Sequence, residues 1–249
     1  MTQKVAFVTG AAAGIGAECC RRLAQDGIAV GVADINLADA QAVAAGINAA
    51  GGKALAVQAN VADRGQVEAA FAQLREAFGP VTIVVNNAGI SAFTPFEEIT
   101  DTDWDRMFEI NLKGAFICIQ TALPDMKAAA WGRVINISSS SAQSGTALMA
   151  HYSASKGGMI SLTRSLALEL GPLGITVNNV PPGAVMNTIM SEAMQEKFPI
   201  PPEQIRQTLP VRRTGEPSDI ANAVAWLASD ATSYVTGQTI GVNGGRVVS

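Results

Sequence analysis

Tyr152 and Lys156 lie four residues apart in a stretch, 152–170, that reads as a helix, so their side chains share a face one turn apart. A free phenol ionises near about pH 10 and is a poor base at neutrality. A neighbouring ammonium favours the phenolate and draws that value down. The pair therefore predicts proton exchange near neutral pH, as interconversion of an alcohol and a ketone requires. Tyr-x-x-x-Lys also occurs on ordinary solvated helices, so the chemistry depends on what else the chain supplies. Two things are needed: a place for a redox cofactor and a hydroxyl to steady the substrate oxygen.

The elements that would position such a pair alternate along the whole chain. Val5-Ala6-Phe7-Val8 is a short apolar run, the pattern of a buried parallel strand, and it stops at Thr9-Gly10. Gly10-Ala11-Ala12-Ala13-Gly14-Ile15-Gly16 then opens into a helix from about Ala17 to Asp26. Glycines there let backbone turn tightly beside a pyrophosphate, and the helix start offers free N–H groups. A second strand, 28–33, ends at Asp34, followed by Ile35 and Asn36. A carboxylate at that place accepts from ribose hydroxyls and repels a 2′-phosphate, and neither Ala13 nor Ile35 supplies a cation. These residues favour NAD over NADP, unless Asp34 merely caps the next helix. Further strands are read at 54–57, 81–85, 134–137, 175–180 and 238–242, with helices at 37–50, 103–126 and 217–227 and another running to Phe78. Asn60 lies just beyond the third strand, where a polar residue can reach an adenine, while Asp63 may serve only as a helix cap. This rhythm predicts an α/β fold: one doubly wound, seven-stranded parallel sheet with helices on both faces.

The ordered motifs Thr9-Gly10-x-x-x-Gly14-Ile15-Gly16, Asn86-Asn87-Ala88-Gly89 and Tyr152-x-x-x-Lys156 resemble those of the short-chain dehydrogenase/reductase family. The resemblance runs over almost the whole chain, to Gly237-Gln238 and Gly244-Gly245. It implies a single-domain Rossmann fold over 1–249 and an NAD site formed by Gly10, Ala13, Gly14, Ile15, Gly16, Asp34, Ile35, Asn60, Val61, Asn87, Ala88, Gly89, Pro182, Gly183 and Val185, with Tyr152 and Lys156. It implies that Ser139, thirteen positions before Tyr152, is the catalytic serine, and that Asn111 kinks its helix and holds a water beside Lys156. The family's carboxamide-binding Thr would fall at position 187, which here is Asn187, with Thr188 one later, and the contact stays open between them. Gln143, Leu148 and Met190 are expected to meet substrate together with Ser139 and Tyr152, in a pocket that Phe93 and Phe96 help shape. Residues 186–208, rich in Met and Pro, break the strand–helix rhythm and read either as a substrate lid with an apolar inner face or as a packed helical hairpin. His151 is read as a pocket-edge or surface residue. A homotetramer is implied, with helices around Asn111 and after Tyr152 meeting across subunits.

Bulk properties narrow the partners. With 249 residues, 48% hydrophobic and 15% charged, the chain can bury a substantial core. A net charge of −4 gives no footprint for nucleic acid or an anionic membrane. Cys19, Cys20 and Cys118 have no metal or redox spacing, so no metal is expected. The start, Met1-Thr2-Gln3-Lys4, has no signal-peptide pattern, and a cytoplasmic protein is expected. The expected activity is NAD(H)-dependent interconversion of a secondary alcohol and a ketone on a small, apolar molecule. Close rivals are a 3-oxoacyl thioester reductase and a hydroxysteroid dehydrogenase. A non-catalytic NAD sensor would need no proton relay, and a serine hydrolase would need a Gly-x-Ser-x-Gly elbow that is missing.

Overall fold

Val5–Thr9 forms β1, buried at every position. In the computed structural model, which describes residues 3–248, it lies in the middle of a parallel sheet. Met1 and Thr2, part of the N-terminal stretch read above, lie outside the described residues. The other strands are β2 (Ala29–Asp34), β3 (Ala54–Gln58), β4 (Ile83–Asn86), β5 (Gly132–Ile137) and β6 (Ile175–Val180). Their order is β3-β2-β1-β4-β5-β6 and every pairing is parallel. Both faces are apolar because both are covered. One core joins Val8, Val30 and Ile135 to Leu23 and Val224; the other joins Phe7, Val84 and Val177 to Phe71 and Ile117.

Helices α1 (Gly14–Gln25), α2 (Leu37–Ala49) and α3 (Arg64–Phe78) connect the first four strands. Helices α4 (Asp101–Phe108), α5 (Gly114–Ala129), α6 (Ser141–Ser144) and α7 (Ala150–Leu170) serve the second half, followed by α8 (Ile189–Lys197), α9 (Pro202–Thr208) and α10 (Pro217–Ala228). Strand order reverses between β1 and β4, so the crevice outside their C-terminal ends is where such a sheet takes a ligand.

Among the described residues the sheet has six strands rather than the expected seven. Thr239 and Val242 make only isolated parallel bridges, to Asn179 and Pro182. Pro181 and Pro182 follow β6 directly and have no N–H, so a ladder cannot run on past Val180. The long helix expected over 103–126 is also interrupted. Between α4 and α5, Glu109–Lys113 is a π-helical turn centred on the buried Asn111. Helix α1 begins at Gly14, three residues earlier than expected.

Gly16 marks the tightest approach in the fold. A Cβ there would sit on the Gly10 carbonyl oxygen and 2.6 Å from Asn87 Nδ2. Gly16→Ala must therefore push α1 off β1. We expect it to cost about 1–3 kcal/mol or more in a denaturant titration and to abolish NADH binding by fluorescence. An unshifted midpoint would show that the approach is not tight.

Candidate active site

The crevice begins at the glycine turn. Gly10 and Gly14 hold φ of +61° and +53°, backbone that L side chains resist. Ala13 offers no side-chain cap to α1, which leaves its first N–H groups directed at the crevice. Thr9 Oγ1 accepts from the N–H groups of Asn87 and Ala88, both at 3.0 Å. Asn87 Nδ2 returns to the carbonyls of Thr9 and Gly10, each at 2.9 Å. These bonds lock the ends of β1 and β4 together.

Asp34 closes the far end of the crevice. Its carboxylate accepts from Ala12 N–H and Asn36 N–H, both at 3.0 Å. Asn36, not Asp34, caps α2. Ile35 is exposed beside it. Asn60 spends its side chain locally, accepting from Ala62 N–H at 3.1 Å, and Asp63 caps α3. Val61 is buried against Gly114.

The polar centre lies at the ends of β4 and β5. Lys156 is buried, and its Nζ donates to the Ile137 carbonyl at 2.9 Å. A Cβ on Gly89 would lie 3.2 Å from Lys156 Nζ and 3.1 Å from Asn111 Oδ1, so both groups converge on one spot. Asn111 Oδ1 accepts from Ile90 N–H at 2.8 Å, while its Nδ2 donates to Ile90 O and to Ser155 Oγ, both at 3.0 Å. Ser139 Oγ accepts from Ser141 N–H at 3.1 Å and from Ser141 Oγ–H at 2.8 Å. That leaves the Ser139 proton free to point into the crevice. Tyr152 is 5% exposed, and its hydroxyl points at Met190 Sδ, 3.8 Å away.

Burial sets the charges here. Desolvation lowers Lys156 from 10.5 to about 8, with no ion pair to the ammonium among the described residues. It raises the Tyr152 phenol above its ordinary value, with the Ser139 hydroxyl pulling in the other direction. The expected lowering of Tyr152 by Lys156 is thus absent in this structure: removal of the phenol from water outweighs the helix spacing.

His151 is not at the pocket edge or on the surface. It is 1% exposed, on the same α7 face as Ser155 one turn later, turned toward α4. Neither ring nitrogen has a hydrogen-bond partner among the described residues. Burial lowers its pKa, with Asp103 opposing.

Residues 186–208 hold α8 and α9 joined by a short turn. Asn187 takes φ +59°, and its side-chain amide donates to Glu216 Oε2 at 2.8 Å. Thr188 caps α8 and lies beside Gly14, with its Cγ2 3.4 Å from where a Cβ on Gly14 would stand. Phe198 packs edge-on against Phe93 at 5.1 Å, and Lys197 bonds the Phe93 carbonyl. Leu148 is at the rim with φ +65°, and Gln143 Oε1 is buried without a partner among the described residues. Phe96 is 74% exposed on the outer surface. Pro182 O accepts from Ser140 N–H at 2.9 Å, Gly183 packs on Asn243, and Val185 bridges to Gly215. Sequence reasoning passed over Ser141, which orients Ser139, and Ser155, which braces Asn111. Ser155 sits inside the Tyr-x-x-x-Lys stretch, but nothing in its type marks the brace.

Comparison with known proteins fits this arrangement. A family model described as Enoyl-(Acyl carrier protein) reductase matches residues 10–246. A 3-oxoacyl-(acyl-carrier-protein) reductase of Staphylococcus aureus is 42% identical over 243 residues, spanning 97% of each chain. The chain belongs to the short-chain dehydrogenase/reductase family. Within that family, the (2S)-((R)-hydroxy(phenyl)methyl)succinyl-CoA dehydrogenase subunit of Thauera aromatica is 37% identical over 247 residues, 98% of this chain and 96% of its own. A variant of the actinorhodin polyketide ketoreductase, solved with NADPH, superposes with a TM-score of 0.94 at 34% identity and covers 99% of both chains.

As a short-chain dehydrogenase/reductase, the protein is an oxidoreductase of a family that uses a nicotinamide cofactor. The residues present fit such a group: a glycine cradle under a free helix start, a carboxylate at the end of β2, and a buried ammonium beside Gly89. No described helix is long and apolar enough to cross a membrane. The described residues contain no cluster of His, Cys, Asp or Glu that could hold a metal ion.

The Lys156 shift carries a pH signature. Its folded pKa of about 8 is below its unfolded value, so between there and about pH 10 the unfolded chain binds more protons and the Lys156 contribution to stability rises with pH. The three buried thiols act oppositely, because their folded pKa values are raised. Lys156→Met should therefore lose stability more steeply than the parent over this window in urea titrations. Parallel slopes would mean that the ammonium is not desolvated.

Proposed function

We propose that the protein is an NAD(H)-dependent oxidoreductase that interconverts a secondary alcohol and a ketone. The observation that supports this reading most is that the Ser139 hydroxyl acts on the Tyr152 phenol, while Lys156, one turn along α7, is buried against the end of β5. The nicotinamide, when bound, supplies or accepts the hydride. The chain handles the proton and the oxygen. Tyr152 donates its proton to the substrate oxygen in reduction and takes it back in oxidation. Ser139, its oxygen already satisfied by Ser141, donates to the same oxygen and steadies developing charge. Lys156 grips the nicotinamide ribose and favours the phenolate once a substrate oxygen replaces the apolar contact at Tyr152. Asn111 holds water beside Lys156 for proton exchange with solvent.

Gly10, Gly14, Ile15 and Gly16 take the pyrophosphate, with Asn87, Ala88, Gly89, Pro182, Gly183 and Val185 along the cofactor's length. Asp34 takes the adenosine ribose, and its charge, with no cation paired to it among the described residues, supports NAD over NADP. For the carboxamide, the position of Thr188 over Gly14 supports Thr188 rather than Asn187. The protein acts as one domain over 1–249, with 186–208 as its lid and Gln143, Leu148 and Met190 meeting substrate. The groove between α4–α5 and α7, with Phe108, Leu112, Phe116 and Leu162, supports a homotetramer contact there. A cytoplasmic enzyme is part of the same reading.

The second reading keeps this chemistry and places the ketone β to a thioester. It is favoured by the names of two relatives, an acyl-carrier-protein reductase and a CoA-linked dehydrogenase.

Tyr152→Phe should lower kcat by roughly 10²–10⁴-fold with NADH binding nearly intact. Normal turnover in that variant removes Tyr152 from the chemistry. With the parent enzyme, kcat/KM for NADH should exceed that for NADPH, and Asp34→Ala should narrow the gap. A preference for NADPH would overturn the cofactor assignment. Acetoacetyl thioester against simple ketones, each followed by NADH absorbance, separates the two substrate readings.

A further inference from the structure

We propose that Met190 is an oxidative modification site whose sulfoxide silences Tyr152. The proposal rests on the reading of Tyr152 as the proton donor. Two independent observations support it. The Met190 sulfur is 3.8 Å from the Tyr152 hydroxyl, on a phenol that otherwise meets only the Ser139 hydroxyl among the groups acting on it. Met190 is also exposed, at 38%, whereas Met186 and Met194 are half-buried and Met107, Met126, Met149 and Met159 are buried.

A thioether is a weak acceptor, so the parent contact covers the phenol without holding its proton. Hydrogen peroxide changes that. The sulfur lone pair attacks one peroxide oxygen, the O–O bond breaks, an S–O bond forms, and the departing oxygen leaves as water after proton transfer. Sulfur is oxidised by two electrons and peroxide is reduced by two. The product is a strong acceptor placed beside the Tyr152 O–H. A hydrogen bond to the neutral phenol disfavours its ionisation and withholds the proton from substrate.

Met190 is well fixed for this role. It lies in the first turn of α8, where Thr188 and Ser191 form a reciprocal cap, and Phe198 and Lys197 tie the far end of the helix to Phe93. The thiols do not compete for the oxidant. Cys19, Cys20 and Cys118 are all fully buried, and burial raises each pKa, that of Cys118 to about 12.

The test treats the full-length enzyme with hydrogen peroxide, follows NADH turnover, and maps oxygen addition by peptide mass spectrometry. We expect one oxygen on the Met190 peptide and a loss of at least about tenfold in kcat, with NADH binding unchanged and activity restored by methionine sulfoxide reductases. Met190→Leu, compared with its own untreated rate, should resist, while Met194→Leu should remain sensitive. Parallel inactivation of Met190→Leu and parent would overturn the proposal. Full activity in parent carrying the Met190 sulfoxide would overturn it as well, and so would loss of activity with Met190 still reduced. Turnover by Tyr152→Phe would instead defeat the underlying assignment of Tyr152, whatever peroxide does. If Tyr152→Phe is inactive and Met190→Leu still loses activity like the parent, the sulfoxide proposal alone fails.

Discussion

A single buried ammonium fixes the geometry of the site. Lys156 Nζ donates to the last carbonyl of β5, so α7 is pinned to the C-terminal edge of the sheet at one point. The loop leaving that same strand carries Ser139 two residues later. One helical turn back from Lys156, α7 delivers Tyr152. One contact thus joins the strand end that leads to Ser139 with the helix that carries Tyr152. Burying the ammonium is costly, and desolvation depresses Lys156 to about 8; the hydrogen bond to Ile137 offsets part of that cost.

The rest of the fold braces that point. The π turn at Glu109–Lys113 brings Asn111 inward, where its amide pairs with both backbone groups of Ile90 and with Ser155 of α7. The loop after β4 is thereby tied to α7. On the other flank, Thr9 and Asn87 tie β1 to β4 and leave the glycine turn open toward the crevice. Deeper still, Asn86 donates to Asn136 at 2.8 Å, and Asn136 donates to Thr163 at 2.9 Å, so β4, β5 and α7 share a buried polar chain. Leaving either amide or the Thr163 hydroxyl without this partner costs free energy, which favours one register of the three elements.

The parallel sheet and the placing of the candidate site were legible wherever a residue's position depends on its neighbours in sequence. The glycine turn, Asp34 at a strand end and the Tyr152–Lys156 spacing all belong to that kind. Features decided by distant contacts were not legible. The seventh strand fails because two prolines remove donors that apolar patterning does not register. His151 is polar and solitary, yet its helix face turns it inward. The rise in the Tyr152 pKa comes from burial, with a methionine 38 positions along the chain lying against the hydroxyl. Spacing alone shows the ammonium nearby and not the loss of water.

The chain has only two tyrosines, and Tyr234 is fully exposed, so Tyr234→Phe leaves one phenol to titrate. The most direct test is to follow phenolate absorbance against pH in that variant with saturating NAD, beside kcat/KM for alcohol oxidation over the same range. If Tyr152 is the group that exchanges the substrate proton, the ionisation seen in absorbance will coincide with the acid limb of the rate profile. A rate that is already flat at pH values where the phenol remains protonated would contradict the account.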